Sequence, residues 1–404
     1  MATIGVLTFY KVANFGANLQ ALSTYCYLQK QGHFPILIYY VPQESHTKLE
    51  EKRKTDQQVE AHFLFVDKYI KGQTDICFTI ADVNRAIEKN SIECVIIGSD
   101  AVLQHHPLLS RIHVGHRKPF YIAKMGAERM FPNLFWGEGI AEHIRLGLMS
   151  VSSQSSEYKL FSNLVKKQMQ KALQRFSYIS VRDIWTQKML FTITGNEYPV
   201  TPDPVFAFNN NVGELIPSKD DIISKYQLPS KYVLVSLMGQ TIQKDQLTKL
   251  ADLFHDKGFA CVSLPMPTGK DWSHSFSHTI PEPLSPLDWY VLIKNSSGYI
   301  GSNMHPIIVC LHNAVPCYSI DNWGATDFWN RPRNNGSSKV EDILRTFGLE
   351  AYHQFICDKH CNINPVEIVN KLLFFPKEKV SAKSKDMYLQ YQIMMKTLLK
   401  SLNC

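Results

Sequence analysis

The sequence predicts an α/β protein of two domains, each built on a parallel sheet. At 404 residues the chain is longer than one hydrophobic core usually supports. Its opening segment alternates strand, helix and strand, which favours a parallel sheet with ligand sites at the carboxyl ends of the strands. The alternation starts again at residue 232, after a polar stretch over 209–230. We therefore expect a first domain over 1–205, a second over 206–380 and a C-terminal helix within 381–404.

The composition is that of a compact folded protein. Hydrophobic residues make up 45% of the chain and charged residues 20%, and no apolar run reaches the length of a membrane-spanning helix. The sequence opens on a predicted strand and not on a signal peptide, so we expect a cytoplasmic protein. The formal net charge of +7 suits an anionic substrate or peripheral contact with the inner membrane surface. The scattered basic residues do not indicate nucleic acid binding.

The cysteines indicate reduced thiols and not a disulfide framework. There are nine, an odd number, and no two are spaced as Cys-x-x-Cys, which agrees with a cytosolic address. Cys357, His360 and Cys361 resemble half of a zinc site. Because no second half follows at a matching spacing, we expect no metal and no bound cofactor.

The first strand–helix unit places polar residues where a parallel sheet usually binds ligands. A predicted strand over 3–9 is followed by a loop with Asn14 and Gly16, then by a helix that Gly32 stops and a second strand over 34–40. The loop lies at the head of the helix. Two interpretations stay open: a substrate-binding loop, or a turn made of residues that tolerate left-handed backbone.

A short apolar run over 94–100 predicts the next strand, after helical patterns over 42–75 and 81–89. It ends in Gly-Ser-Asp, so Asp100 stands at a strand end, where it can bind or deprotonate a substrate hydroxyl or simply cap a helix. The following loop is rich in histidine and basic residues: His105, His106, Arg111, His113, His116, Arg117 and Lys118. No carboxylate accompanies the imidazoles, which favours a basic loop, acceptor-facing or solvated, over a metal site.

Two further strand ends complete the first domain. The run over 146–152 ends at Ser152, in a string of small polar residues, and the strand over 178–183 carries Arg182 near its end. An arginine there can clamp a carboxylate or phosphate in a bidentate way, and the alternative is a salt bridge to Asp183. The other elements predicted here are helices over 157–175 and 185–193 and a strand over 200–205 that enters a proline-bounded linker.

The second domain repeats the alternation. Ser285 followed by proline is a good helix start, because serine caps a helix and proline fits its first turn. Loop 323–335 is aromatic and carries Arg331. In the tail, apolar residues recur at helical spacing, so a helix over 381–402 should pack on the outside of the protein. The remaining predicted strands cover 232–237, 260–264, 299–300 and 317–320, and the remaining helices cover 243–257, 285–295, the stretch from 304 onward and 339–347.

The stretch 297–316 is the most informative part of the chain. A short strand meets a tight turn that contains Ser302 and Asn303, and a buried helix begins near residue 304 with a proline in its first turn. His305 therefore stands beside a helix N-terminus, where free N–H groups and the helix dipole favour a phosphate or carboxylate. The alternative is an ordinary strand–helix unit whose histidine is satisfied in the core.

Five short motifs, taken in order, resemble the polysaccharide pyruvyl transferase family. They are Asn-Phe-Gly-Ala-Asn-Leu-Gln at 14–20, Gly-Ser-Asp at 98–100, Ile-Ser-Val-Arg-Asp at 179–183, Asp-Pro at 203–204 and Ser-Asn-Met-His at 302–305. Each motif alone is weak, but five in sequence order are fairly specific. The resemblance runs over roughly residues 3 to 350.

This resemblance implies two Rossmann-like domains that face a cleft, similar to glycosyltransferases of the GT-B type. It implies phosphoenolpyruvate as donor, a hexose of a cell-surface glycan or of its lipid-linked precursor as acceptor, and a pyruvate ketal as product. Arg182 and His305 match family positions that bind or act on the donor, and we expect Asp100 to bind or deprotonate the acceptor. The other expected substrate-binding residues are Ser302, Asn303, Asn14, Gly16, Ser152 and Arg331.

Two departures from the family pattern keep other functions open. Many members carry an arginine shortly before the histidine, where this chain has Asn303 and Met304, and the usual Gln-x-Trp does not follow Gly-Ser-Asp. Arg331, Arg333 or Lys339 would have to supply the missing cation. The alternatives are a GT-B glycosyltransferase that uses a nucleotide sugar, although no acidic residue placed for a ribose is identified, and a degenerate, non-catalytic member of the family.

Overall fold

The computed structural model describes residues 1–114, 120–237, 242–267, 276, 278–329, 331–356 and 362–404. Its strands are β1 (Thr3–Leu7), β2 (Phe34–Leu37), β3 (Cys94–Asp100), β4 (Ile112–His113), β5 (Tyr121–Ile122), β6 (Arg145–Val151), β7 (Phe176–Val181), β8 (Tyr232–Ser236), β9 (Ala260–Ser263), β10 (His278–Thr279), β11 (Gly298–Gly301), β12 (Cys317–Asp321) and β13 (His353–Phe355). Its α-helices are α1 (Phe15–Lys30), α2 (Gln43–Thr55), α3 (Gln57–Tyr69), α4 (Ile80–Lys89), α5 (Leu108–Arg111), α6 (Asn163–Leu173), α7 (Ile184–Thr194), α8 (Phe208–Val212), α9 (Lys219–Tyr226), α10 (Lys244–His255), α11 (Pro286–Lys294), α12 (Met304–His312), α13 (Lys339–Thr346), α14 (Pro365–Leu373) and α15 (Lys377–Ser401).

Each half of the chain contributes one parallel sheet. The first sheet has the order β2-β1-β3-β6-β7 and the second β10-β9-β8-β11-β12-β13. Neighbouring strands in both sheets run parallel, while β4 and β5 form a small antiparallel pair. Central strands are buried on both faces, which explains the continuous apolar sequence of β3. The predicted α/β class and paired Rossmann-like sheets are confirmed.

Helix α1 lies between the two halves and is buried along most of its length. It begins where the side chain of Asn14 accepts a hydrogen bond from the Ala17 N–H at 3.2 Å, which satisfies a free donor of the first turn. The helix contacts α8, α11 and α12 as well as strands of its own sheet. Its first turn is therefore held at the junction of the two sheets.

The C-terminal helix α15 packs on the outside of the first sheet, as predicted. Near its start, Ser384 Oγ donates to the backbone oxygen of His312, at the end of α12, at 2.9 Å. Near its end, Leu398 lies over Gly147 of β6, where an added Cβ would come within 2.4 Å of a leucine methyl group. The helix thus runs as a strap from the second half of the chain back to the first.

One predicted strand is wrong. Within 200–205, Val200 forms only an isolated bridge to Val181, and Pro204–Ala207 is a short 3₁₀ helix. The Asp203 carboxylate accepts a hydrogen bond from the Val205 N–H at 2.9 Å, so the Asp-Pro pair begins a helix, since proline fits a first turn. This helix packs on α1, and the boundary at residue 205 stays a prediction.

Helix α14 was not predicted, although its sequence carries a start signal. Asn364 accepts a hydrogen bond from the Glu367 N–H at 3.3 Å, and Pro365 occupies the first helical position, the pattern expected of a capped helix. Helices α8 and α9 and strand β13 were also missed, because short elements give weak periodicity. Among the described residues, no helix is long and apolar enough to cross a membrane.

Candidate active site in the cleft

His305 and Gly16 meet where the two halves of the chain face each other. His305 is the second residue of α12, and its imidazole packs directly on the first turn of α1. A Cβ added at Gly16 would lie 1.9 Å from His305 Cγ. A glycine is therefore required here by close approach and not by a special backbone angle. Two residues that are 289 positions apart in sequence form one wall of the site.

A chain of polar contacts ties His305 to the strand ends of the first sheet. The Gln20 side-chain N–H group lies 3.0 Å from His305 Nε2 and also donates to Asp203 Oδ2. Arg182 Nη1 donates to the same carboxylate oxygen at 3.0 Å. Because the amide nitrogen of Gln20 can only donate, Nε2 of the imidazole is the acceptor in this arrangement. The cleft thus holds the histidine in its neutral form.

Burial has the same effect on the charge of His305. Removal from water lowers the pKa of its imidazole to about 4, because the charged form is poorly solvated inside a protein. The Asp203 and Asp100 carboxylates act in the opposite direction, while the Arg182 and Lys339 cations lower the pKa further. The histidine is therefore neutral at pH 7.

Arg182 is buried in the cleft, and among the described residues only its Nη1 is hydrogen-bonded. Its side chain is only 6% exposed. Nη1 binds Asp203, and Nη2 lies 3.7 Å from the Asp100 carboxylate. Nε and Nη2 have no hydrogen-bond partner within the described residues. Buried polar groups without a hydrogen-bond partner are rare and costly, and the Nε–Nη2 edge of a guanidinium matches the two oxygens of a carboxylate or phosphate.

Asp100 is held at the carboxyl end of β3 by an unusual backbone. Its φ is +107°, a conformation that side-chain-bearing residues seldom adopt and that is found preferentially at functional sites. The carboxylate accepts a hydrogen bond from the Ala101 N–H at 2.7 Å, and the Asp100 backbone oxygen accepts one from the Ser152 N–H at 2.9 Å. Ser152 is buried, and its hydroxyl accepts from the Gln154 N–H at 3.0 Å. Ser152 thus helps to form the turn that supports Asp100.

Asn303 and Ser302 lie at the start of α12 and have different partners. Asn303 lines a cavity beside His305, and its side-chain amide donates to the sulfur of Met266 at 3.4 Å. The hydroxyl of Ser302 donates to the backbone oxygen of Ile320 at 2.7 Å. Asn303 therefore faces the cavity, whereas Ser302 joins β11 to β12.

Lys339 is the cation that the structure brings into the cleft. It is the first residue of α13, after Ser338 caps the helix by accepting from the Glu341 N–H at 3.3 Å. Burial lowers the pKa of its ammonium group, and the nearby Arg182 lowers it further. Its Nζ lies 5.3 Å from the centre of the Trp323 ring, within the range of a cation–π contact.

Arg331 lies elsewhere. It projects from an exposed hairpin, pairs with Asp327 at 2.9 Å and stacks on Trp329 at 5.1 Å. It does not line either cavity of the cleft. Of the three cations that the sequence offered as replacements for the absent arginine, Lys339 lines both cavities, and Arg331 and Arg333 line neither.

Two cavities share this region of the protein. The smaller has a volume of about 110 Å³ and the larger about 250 Å³. Met304 and Lys339 line both, so the cavities adjoin. The smaller cavity contains His305 and is otherwise lined by aromatic, proline and polar residues: Asn14, Phe15, Gly16, Ser236, Pro265, Pro267, Trp289, Asn303, Pro306 and Trp323. The larger contains Arg182, Asp183, Asp203 and Asp342 and is closed on one side by Met387 and Gln390 of α15.

Gln20, Asp203 and Trp323 were not predicted as site residues. Gln20 and Asp203 belong to two of the five sequence motifs, so position within a motif was the available signal. Trp323 donates its indole N–H to the Ser302 backbone oxygen at 2.5 Å, a long-range contact with no local signature. Within the described ranges no group of three or more potential ligands is placed to hold a metal ion. Cys357, His360 and Cys361, and His116 with its basic neighbours, lie outside those ranges.

The family model for polysaccharide pyruvyl transferases matches residues 14–324, more than half of the chain. The chain belongs to the polysaccharide pyruvyl transferase family. The match begins at Asn14, which caps α1, and ends just after Trp323, so it contains His305 and Arg182 and leaves out Lys339. No curated protein matches the sequence.

Solved structures place this family member among GT-B-like proteins. It is similar to S. aureus MnaA in complex with UDP, with 13% identity, a TM-score of 0.53 and coverage of 100% of this chain and 97% of that one. The UDP-GlcNAc 2-epimerase from Neisseria meningitidis, bound to UDP-GlcNAc, gives 12% identity, a TM-score of 0.55 and coverage of 99% and 100%. The UDP-N-acetylglucosamine 2-epimerase from Rickettsia bellii gives 9% identity, a TM-score of 0.55 and coverage of 100% of this chain and 97% of that one. At such low identity the likeness shows the fold alone.

Proposed function

We propose that the protein transfers pyruvate from phosphoenolpyruvate to a hexose of a cell-surface polysaccharide or of its lipid-linked precursor, with a ketal as product and phosphate as leaving group. The observation that carries the proposal is the buried Arg182, which lies in a cleft with Lys339 and His305 and whose Nε and Nη2 have no hydrogen-bond partner among the described residues. A small molecule with both a phosphate and a carboxylate needs such a set of donors. No metal or cofactor enters the scheme.

The proposed donor site uses helix termini as well as side chains. His305 and Asn303 stand at the start of α12, and Gly16 lies in the first turn of α1. Helix N-termini present free N–H groups and a partial positive charge to an anion. Lys339 adds a full charge where Asn303 and Met304 replace the usual cation. The departure from the family pattern is thereby compensated by a residue from another helix.

The proposed chemistry follows from the charge that the donor brings. A phosphate beside His305 would raise the low pKa of the imidazole, so that the group enters the reaction protonated. It then gives its proton to the methylene carbon, and one sugar hydroxyl attacks the resulting cationic carbon while Asp100 accepts the hydroxyl proton. Phosphate leaves with the former enol oxygen. The second hydroxyl closes the ketal, and its proton departs with phosphate.

Ligand stabilisation and product analysis test this proposal. Phosphoenolpyruvate should raise the melting temperature of the protein, and nucleotide sugars should not. Incubation with phosphoenolpyruvate and a panel of lipid-linked sugars should give one acceptor whose mass increases by a pyruvate ketal. The His305→Ala variant should fold and lose ketal formation by about 10²-fold or more. Stabilisation by nucleotide sugars alone would favour the glycosyltransferase alternative, and no response to any ligand would favour a non-catalytic member.

We also propose that the protein acts at the cytoplasmic face of the membrane, where lipid-linked acceptors are built. Phe120, Phe328 and Trp329 form an exposed aromatic edge. The ring centres of Phe120 and Phe328 are 6.0 Å apart, and those of Phe328 and Trp329 are 5.7 Å apart. The Val114 N–H donates to the Phe328 backbone oxygen at 2.9 Å, so the edge combines residues from both halves of the chain.

The sequence around this edge has the charge that an anionic lipid surface attracts. Residues 111–129 contain five lysines and arginines against one acidic residue, and aromatic rings are favoured at the membrane–water interface. We expect the Phe328→Ala/Trp329→Ala double variant to lose sedimentation with phosphatidylglycerol vesicles. Phe374→Ala is the matched control, because Phe374 is an exposed aromatic residue away from the edge. Equal loss in both variants, or binding that ignores lipid charge, would contradict the proposal.

A further inference from the structure

Two cysteines face each other where the end of α15 meets β3, the central strand of the first sheet. Cys94 is the first residue of β3 and is fully buried, and Cys404 follows α15 and is half-buried. Their sulfur atoms are 2.7 Å apart, although 310 positions separate them in the sequence. The bond in a disulfide is about 2.05 Å long, so closure requires only a small sulfur displacement.

The position of Cys404 is fixed by the structure around it. Its N–H donates to the Leu399 backbone oxygen at 3.1 Å, which continues the last turn of α15. Leu402 is fully buried and lies over Gly147 of β6, the strand next to β3. Cys404 is therefore held against Cys94 by packing, and the sulfur contact does not depend on a freely moving tail.

The two thiols differ in a way that suits stepwise oxidation. The neighbouring Cys94 thiol, acting as a hydrogen-bond donor, lowers the pKa of Cys404, and the Arg145 guanidinium lowers it further. A thiolate is the reactive form of cysteine, and Cys404 is the more exposed of the two. Cys94, with no exposed surface, is placed to react only with its partner.

We propose that Cys94 and Cys404 form a reversible disulfide that fastens α15 to the first sheet. The oxidant is a low-molecular-weight disulfide. The Cys404 thiolate attacks one of its sulfur atoms, which forms a mixed disulfide and releases one small thiol. The Cys94 thiol then loses its proton and attacks Cys404 Sγ, which forms the protein disulfide and releases the second small thiol. Two protein thiols are oxidised and one small disulfide is reduced.

The bond would act on the helix that borders the larger cavity. Met387 and Gln390 of α15 line that cavity beside Arg182 and Asp183, and Ser384 ties the same helix to α12 of the second half. A disulfide at the far end would close a loop of about 310 residues, and such cross-links restrict the unfolded chain most when the loop is long. The oxidised protein should therefore melt at a higher temperature. This inference does not depend on the substrate proposed above.

The test uses the full chain treated with oxidised glutathione, followed by alkylation and mass mapping of peptides. We expect one linked pair, between the peptides that contain Cys94 and Cys404, and a melting temperature several degrees higher that dithiothreitol reverses. Cys404→Ser should remove both effects. Cys261→Ser is the matched control, because Cys261 is buried in β9 of the second sheet, and it should keep both.

Three results would overturn the proposal. Alkylation could find both thiols free after oxidation, or Cys404 could carry glutathione without a link to Cys94. A link could also map to other cysteines, such as Cys310 and Cys317, whose side chains are hydrogen-bonded to each other. Circular dichroism of Cys404→Ser, where the changed side chain is only half-buried, shows whether a lost link reflects lost folding.

Discussion

The geometry at the centre of the cleft depends on the side chains at two positions, Gly16 and Arg182. Gly16 has no side chain, and that absence lets the His305 ring lie against the first turn of α1. Arg182 donates to Asp203 through Nη1, while its Nε and Nη2 have no hydrogen-bond partner in the part of the chain that the structure describes. The candidate site thus depends on the absence of a side chain at Gly16 and on the orientation of one guanidinium group, and the periodicity of the sequence reveals neither.

The contact between Gly16 and His305 predicts a strong coupling between the two positions. Gly16→Ala should destabilise the protein and reduce activity, because the new methyl group would occupy the space of the imidazole. In the His305→Ala background the same change should be neutral or should stabilise by up to about 1 kcal/mol, since alanine is the better helix former. Urea unfolding of the four proteins measures the coupling. Additive effects would show that the ring does not occupy this space.

Lys339 and Arg331 provide a matched pair for the donor cation. Lys339→Met should weaken phosphoenolpyruvate binding by about tenfold or more, because a charge-assisted contact in a buried cleft contributes about 1.5–3 kcal/mol. Arg331→Met should leave binding unchanged, since Arg331 is already paired with Asp327 on an exposed hairpin. The dependence of the melting temperature on phosphoenolpyruvate concentration gives both affinities. A loss confined to Arg331→Met would place the cation of the site on the hairpin and not on α13.

Among the elements, α15 shows how one helix can connect two sheets. Its buried residues recur at helical spacing and face the first sheet near its end, while its first turns contact α12. The opposite face is exposed, with Leu389 at 56%. An amphipathic pattern therefore predicted the helix correctly, and the tertiary structure shows what its apolar face covers.

The two faces of α15 predict different costs for the same substitution. Leu398→Ala should lower the free energy of unfolding by about 2–5 kcal/mol, because Leu398 is fully buried over Gly147 and its loss leaves a cavity. Leu389→Ala, on the exposed face, should change it by less than about 0.5 kcal/mol. Denaturant titration measures both. A small effect of Leu398→Ala would mean that the strap contributes little to the fold.

The molecule as a whole carries several histidines in neutral form. Burial is the main cause of a pKa near 4 for four of them and near 3 for the fifth: His62, His105, His106, His305 and His312. Asp342 is shifted the opposite way, because burial raises its pKa to about 6. Because five histidines are opposed by one aspartate, the histidines decide whether these six residues stabilise or destabilise the folded protein as the pH changes.

These shifts predict that the folded protein loses stability as the pH falls from about 6.5 to about 4. In that interval the unfolded histidines bind protons and the folded ones do not, so unfolding takes up protons and becomes easier. For His305 alone, the lowering of the pKa from 6.5 to about 4 corresponds to about 3 kcal/mol of stability, because each pKa unit corresponds to about 1.36 kcal/mol. Urea unfolding at a series of pH values should show the fall, and His305→Gln should make it shallower. A flat profile would mean that the buried imidazoles are already charged.

The sequence by itself determined the α/β class, the family and most element positions. β3 was predicted over the residues that it occupies, because a strand buried on both faces is a continuous apolar run. Asp100 and Arg182 were recognised because they follow such runs. The strand predicted over 200–205 failed for a local reason: Asp203 and Pro204 start a helix, and the capping hydrogen bond outweighs the apolar residues nearby.

The tertiary structure alone decided which polar residues meet. It brought Lys339 into the cleft and left Arg331 on an exposed hairpin, although both lie downstream of His305 in one polar region of the sequence. It placed Gln20 between His305 and Asp203, and Cys404 against Cys94. Local sequence sets backbone preferences over a few residues, whereas these contacts join positions tens to hundreds of residues apart. These contacts form only when the two sheets, the helices between them and α15 pack together.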